Sequence, residues 1–292
     1  MISRRKFFSN AAAAAGVVAL GTAPRSTLGA EPDGQPPGNP ENTMGSVRTD
    51  RQEYPPGEPG KDYTPVITPN GSTLPFKAAG DAKIFHLIAE EVDHEFAPGL
   101  RARCWGFNGQ VHGPTIEAVE GDNVRIYVTN KLPESTSIHW HGLLVPSGMD
   151  GVAGLSQKNI GPGETYKYEF KLRQHGTYMY HSHSDDMTQI ALGMMGMFVI
   201  HPRTLTGPRP DRDFVLTSSE WRIDVGTKRP NPIEMTDFNV LTFNGRAFPG
   251  TAPLVAKYGD RVRIRFGNLS PGRTASLVRL ACTANCSSSR LQ

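Results

Sequence analysis

The sequence predicts an all-β protein built on a β-sandwich, and three observations carry that reading. Thirty-one glycines and 24 prolines among 292 residues favour a loop-rich β architecture over a helical bundle. Short apolar runs follow one another at close spacing with turn residues between them, the pattern of a sandwich or barrel. In Val124-Arg125-Ile126-Tyr127-Val128-Thr129-Asn130 apolar and polar residues alternate with period two, as on a half-buried strand.

Residues 1–30 read as an address. Ser3-Arg4-Arg5-Lys6-Phe7-Phe8 is a twin-arginine pattern, a weakly apolar run follows from Asn10 to Leu20, and small residues lie near Ala30. This predicts export by the twin-arginine route to the periplasm or beyond, with cleavage after Ala30. The run is too short and too Ala-rich to persist as a membrane span. The formal charge of +3 is partly a property of this leader, because the rest of the chain has 27 basic and 28 acidic residues. No basic stripe is interleaved with aromatics, so nucleic acid is not an expected partner. Three cysteines, Cys104, Cys282 and Cys286, are too few for a disulfide framework.

Residues 31–75 read as a Pro/Gly-rich arm. A first domain is expected over 76–204. Its strand candidates are Lys83–Ala89, Cys104–Phe107, Thr115–Val119, Val124–Asn130, a strand holding His139 and His141, Tyr166–Phe170, the run into His181 and His183, and Gly196–Pro202. Met194, Met195 and Met197 are expected to fill gaps in its core. Met187, with Asp185 and Asp186, is harder to place. A second, partial domain is expected over 205–270, with strands at Phe214–Thr217 and Glu220–Ile223.

The chemistry concentrates between Ile138 and His183. Ile138-His139-Trp140-His141-Gly142 opens this stretch and Tyr180-His181-Ser182-His183 closes it. On a strand, alternate residues share a face, so each His-x-His presents both imidazoles on one side. Two such strands in one sheet would converge four neutral imidazoles, a site for a borderline transition metal such as copper or zinc. A single pair would be ordinary, but two pairs using four of nine histidines point to metal.

The chain also echoes itself at an offset of 138. Asn108-Gly109 and Gly121-Asp122-Asn123-Val124 through Asn130 match Asn244-Gly245 and Gly259-Asp260-Arg261-Val262 through Asn268, which implies two copies of one sandwich. The histidines are not repeated, since Leu277 and Arg279 stand at the corresponding positions and no histidine follows His201. Pro271 to Gln292 has neither strand alternation nor an acid. The expectation is a tail that is out of frame or a truncated gene, the alternative being a half-repeat that ends early.

With these residues in hand, the chain from about residue 80 to Ser270 resembles the multicopper oxidases, above all the laccase-like and copper-resistance oxidases of bacteria. The resemblance rests on His139-Trp140-His141-Gly142, on Asp150-Gly151 through Gly161-Pro162-Gly163-Glu164-Thr165-Tyr166, and on Gly176-Thr177-Tyr178-Met179-Tyr180-His181-Ser182-His183. It implies a Greek-key cupredoxin sandwich, one complete and one incomplete. It also implies copper as cofactor, with His139 a type 2 ligand and His141, His181 and His183 type 3 ligands, together half of a trinuclear cluster. The implied activity couples one-electron oxidation of a small reducing substrate, phenol or metal ion, to reduction of O2 to water. The family's His-x-x-His-x-His and His-Cys-His motifs are absent from this sequence, so the type 1 ligands are missing. Ser182 stands where a type 1 cysteine would sit in a copper nitrite reductase, which argues against that rival. The expectation is a chain inactive as an oxidase by itself, the alternative being a non-catalytic periplasmic copper-binding protein. If the intact form has two cupredoxin domains, the resemblance implies a homotrimer with copper sites between subunits.

Overall fold

The computed structural model describes residues 54–270. The expectations for the leader at 1–30 and the tail at 271–292 lie outside the described residues. Thirteen strands, one α-helix and a 3-10 turn at Ser147–Met149 are the elements of the described residues. In order they are β1 (Val66–Ile67), β2 (Lys77–Ala79), β3 (Ala82–Ala97), β4 (Leu100–Phe107), β5 (Ile116–Val119), β6 (Asn123–Asn130), β7 (Ile138–His141), β8 (Thr165–Lys171), β9 (Gly176–Ser182), α1 (Asp186–Ala191), β10 (Met195–His201), β11 (Arg212–Trp221), β12 (Val240–Phe243) and β13 (Val262–Asn268). The fold is an all-β cupredoxin sandwich.

Two sheets form the sandwich. One runs β2-β3-β6-β8 with β4 on β3, the other β5-β10-β9-β7. Alternation sends Phe85, Leu87 and Ala89 of β3 and Val124, Ile126 and Val128 of β6 inward. There they meet Ile138 and Trp140 of β7, Tyr180 of β9, and Phe198 and Ile200 of β10 in one core. All of these are almost wholly buried, and burial of such side chains drives the two sheets together at about 1.5–3 kcal/mol each.

A third sheet, β1-β11-β12 with β13 on β11, covers the outer face of the second. Val66 and Val215 pack there on Met179, Met195, Met197 and Val199. Strand β10 is thus buried on both faces. Met194, Met195 and Met197 are core residues, as expected. The two strands read at Phe214–Thr217 and Glu220–Ile223 are one continuous strand, β11. Ser218 and Ser219 between them are buried and pair with Phe243 and Thr242 of β12, so their polarity marks hydrogen-bonded packing rather than a break.

The echo at offset 138 is matched in the backbone. Asn108-Gly109 and Asn244-Gly245 both turn with positive φ, as a tight two-residue hairpin requires. The Asn108 side chain accepts from Ile88 N and donates to His86 O, and Asn244 accepts from Thr217 N and donates to Val215 O. Asp122 accepts from Val119 N as Asp260 does from Lys257 N. Parallel β3–β6 and β11–β13 pairs follow each set.

The arm is tied down from residue 54 onward. Gly57 N donates to Asp122 Oδ1 at 3.1 Å, Val66 N to Glu117 Oε1 at 2.9 Å, and the Tyr63 ring stacks on His201 at 4.1 Å. Strand β1 pairs in parallel with β11.

Candidate metal centre

Strand β7 ends its sheet and pairs antiparallel with β9, setting His139 opposite His181, Trp140 opposite Tyr180 and His141 opposite Met179. The pleat sends Trp140 and Tyr180 into the core, where the indole meets Tyr168 edge-on at 5.1 Å. With that face anchored, His139, His141 and His181 emerge on the other. His183 follows β9, and its backbone N donates to Ser137 O at 3.1 Å, which carries the pairing one step further.

The structure brings all four predicted histidines together. The His139 ring lies 5.7, 5.3 and 5.4 Å from the rings of His141, His181 and His183. Ligand-capable atoms of His139, His141 and His181 fall within 4.8 Å of one another. His183 stands slightly apart, its ring 6.0 Å from that of His181. His181 is buried, His139 and His183 are half-buried, and His141 is exposed, so the cluster opens toward the β7 edge.

Each anchored ring is held by a backbone carbonyl. His139 Nδ1 donates to Asp150 O at 2.8 Å, and His181 Nδ1 to Ser182 O at 2.8 Å. Both bonds leave Nε2 with a free lone pair. Burial, reinforced by the three neighbouring imidazoles, pushes the His181 pKa down to about 4 against an opposing hydrogen bond to Ser182 O. The ring is therefore neutral near pH 7, the form that ligates metals.

Comparison with known proteins decides the lineage. Residues 89–205 match the multicopper oxidase family model, and the chain is 46% identical over 152 residues to Copper resistance protein A of Escherichia coli. The chain belongs to the multicopper oxidase family. The match to the E. coli protein covers 51% of this chain and 24% of that protein. Among solved structures, the multicopper oxidase mgLAC is similar with a TM-score of 0.56 and 36% identity, over 63% of this chain and 60% of that one. The copper nitrite reductase of Nitrosomonas europaea is similar with a TM-score of 0.55 and 30% identity, over 65% and 68%.

The donor set fits the metal that the family implies. His141 Nδ1 faces His181 Nε2 at 3.2 Å. Two imidazole nitrogens held at about 2.0–2.1 Å from one ion at tetrahedral angles lie about 3.3 Å apart, so this pair already has the spacing of two ligands on one ion. Imidazoles whose Nδ1 is held by a carbonyl, as in His139 and His181, suit copper.

Sequence reasoning did not assign a role to Asp150. Its carbonyl orients His139, and its Oδ1 lies 3.4 Å from the same Nδ1. The signal was present in the turn dipeptide Asp150-Gly151, eleven residues beyond His139. Cys104 is fully buried in the Val92, Phe96 and Trp221 cluster, where burial pushes its thiol up to about 12. It is a packing residue.

Proposed function

We propose that this chain supplies half of a trinuclear copper site in a multicopper oxidase, with His139 holding a type 2 ion and His141, His181 and His183 holding type 3 ions. The observation that carries the reading is the convergence of four imidazoles from β7 and the end of β9, with His141 Nδ1 and His181 Nε2 3.2 Å apart. Bound copper would supply one-electron redox chemistry, by which oxidation of a small substrate, phenol or metal ion, is coupled to reduction of O2 to water. The chain's own groups orient the imidazoles through Asp150 O and Ser182 O and close the core side with Trp140 and Tyr180.

The open side at His141 is where ligands from another cupredoxin domain complete the site, in the same polypeptide or in a neighbouring subunit of a homotrimer. The sheet of β11, β12 and β13, with its repeated turns, is the beginning of such a domain. Among the described residues the one cysteine, Cys104, is buried and is not part of the imidazole cluster. The electron-accepting copper–thiolate centre is therefore contributed elsewhere, and the described residues by themselves bind copper without oxidase turnover. Export by the twin-arginine leader places the protein in the periplasm. No described helix is long and apolar enough to cross a membrane.

The test is equilibrium dialysis of the metal-stripped chain against Cu(II), comparing wild type with an H139A/H181A variant whose circular dichroism is unchanged. The expected result is about one to two copper ions in the wild type and loss of that binding in the variant. Equal copper in both refutes the ligand set.

A further inference from the structure

A cavity of about 200 Å³ opens beside the imidazole cluster, between α1, β11 and the segment before β12. Its lining includes Met187, Met195, Met235, Glu220 and Glu234. Core filling accounts for Met195, which is 2% exposed, but not for Met187, which is 60% exposed over an apolar hollow. Three thioethers from three separate parts of the chain share this one wall.

The second observation is electrostatic. Glu220 Oε2 is buried and has no hydrogen-bond partner among the described residues, an arrangement that costs free energy unless a cation or donor meets it. Glu234 accepts from Thr236 N, Thr236 Oγ1 and Asp237 N at 2.8 Å each. These bonds hold its carboxyl down at about 2, the Asp237 amide most of all. Asp186 is a third acid on the wall, and no lysine or arginine joins it among the described residues. The cavity combines soft sulfur donors with uncompensated negative charge.

We propose that this cavity is a copper(I) site, with Met187, Met195 and Met235 as thioether ligands and Glu220 supplying charge. Thioethers bind without losing a proton and select soft monovalent copper over zinc or divalent copper. Met195 is the cross-strand partner of His181, so the site adjoins the imidazole cluster while sharing no ligand with it. Ser219 Oγ, another lining group, lies 4.0 Å from Met195 Sδ.

The test uses the full chain, metal-stripped and anaerobic, with Cu(I) as probe against a chromogenic Cu(I) chelator. In the H139A/H181A background one Cu(I) site should remain. Adding M187L and M235L, which conserve volume, should weaken it by at least about tenfold. E220Q should weaken it with the fold intact, excess Zn(II) should not compete, and X-ray absorption at the copper edge should show sulfur neighbours that the methionine variant lacks. Unchanged affinity in M187L/M235L, displacement by Zn(II), or an absence of sulfur neighbours overturns the proposal. Copper loss in H139A/H181A tests the imidazole site separately, so either reading can fail alone.

Discussion

Replacing Gly151 by alanine should damage the metal centre without touching a histidine. Gly151 has φ of +83°, and a Cβ there would stand inside the Ile138 carbonyl group and 2.9 Å from the His139 amide nitrogen. Both neighbours are backbone of β7, which cannot yield without breaking its ladder to β9. The loop must move instead, and Asp150 O then leaves His139 Nδ1. The left-handed backbone costs an L-residue about 1–2 kcal/mol, and losing the orienting hydrogen bond adds about 1 kcal/mol. With residual strain in β7, the sum is roughly 3–4 kcal/mol. Gly154 is the matched control, since it has φ of +77° but nothing within 4 Å of its Cβ position, so Gly154→Ala carries only the backbone cost. Urea unfolding of the metal-free chain should place G151A about 2 kcal/mol below G154A. Copper dialysis should show weaker binding in G151A alone. Equal unfolding midpoints for the two variants, or wild-type copper affinity in G151A, would refute the reasoning.

Three further outcomes are expected. Lys83 and Asp122 form an ion pair at 3.2 Å with both side chains wholly buried, and Asp122 is also met by Arg203 and the Gly57 and Val119 amides. Asp122→Ala, which strands the lysine, should cost roughly 3–5 kcal/mol in chemical denaturation, whereas Lys83→Met should cost far less; the reverse order would sink this account. Burial pushes His112 down to about 4, against about 6.5 in an unfolded chain. The unfolded state therefore binds the extra proton, and stability falls as pH drops from about 6.5 to about 4, by up to about 3 kcal/mol for this group; His112→Gln should flatten a pH series of melts over that window. Saturating Cu(II) should raise the melting temperature of the wild type and not of H139A/H181A, because binding at a site present only in the folded state shifts the equilibrium and the variant lacks the imidazole ligands.

The strands that frame the site were legible because their alternation is set by one buried face. Val124, Ile126 and Val128 of β6 announce themselves in this way, as does the pair of His-x-His segments. The arm was not legible, because no periodicity holds it. Single groups do so, with Gly57 N on buried Asp122, Val66 N on buried Glu117, and Tyr63 on His201. Polar Ser218 and Ser219 interrupt the apolar pattern of β11, while their burial depends on β12 more than twenty residues later. The carbonyl that fixes His139 and the cavity beside Met195 depend on tertiary approach, and Glu220 and Met235 reach it from distant parts of the chain.

Strand β9 explains why the metal centre sits where it does. On its inner face Tyr178 and Tyr180 belong to the core or pack against it. Its outer face changes character residue by residue. Thr177 accepts from Arg265 of β13 at 2.8 Å, and Met179 packs with Met195, Met197 and Val215 beneath the third sheet. Beyond Met179 the next outward positions are His181, buried, and His183, half-exposed. The imidazoles therefore begin where the methionine packing stops, half in low dielectric and half open to incoming ions. Burial at one end keeps the His181 ring neutral and aimed, and exposure at the other admits the ion. Because the tyrosines point the opposite way, the ligands are separable from the core, so histidine-to-alanine variants of this strand should lose metal while keeping the sandwich.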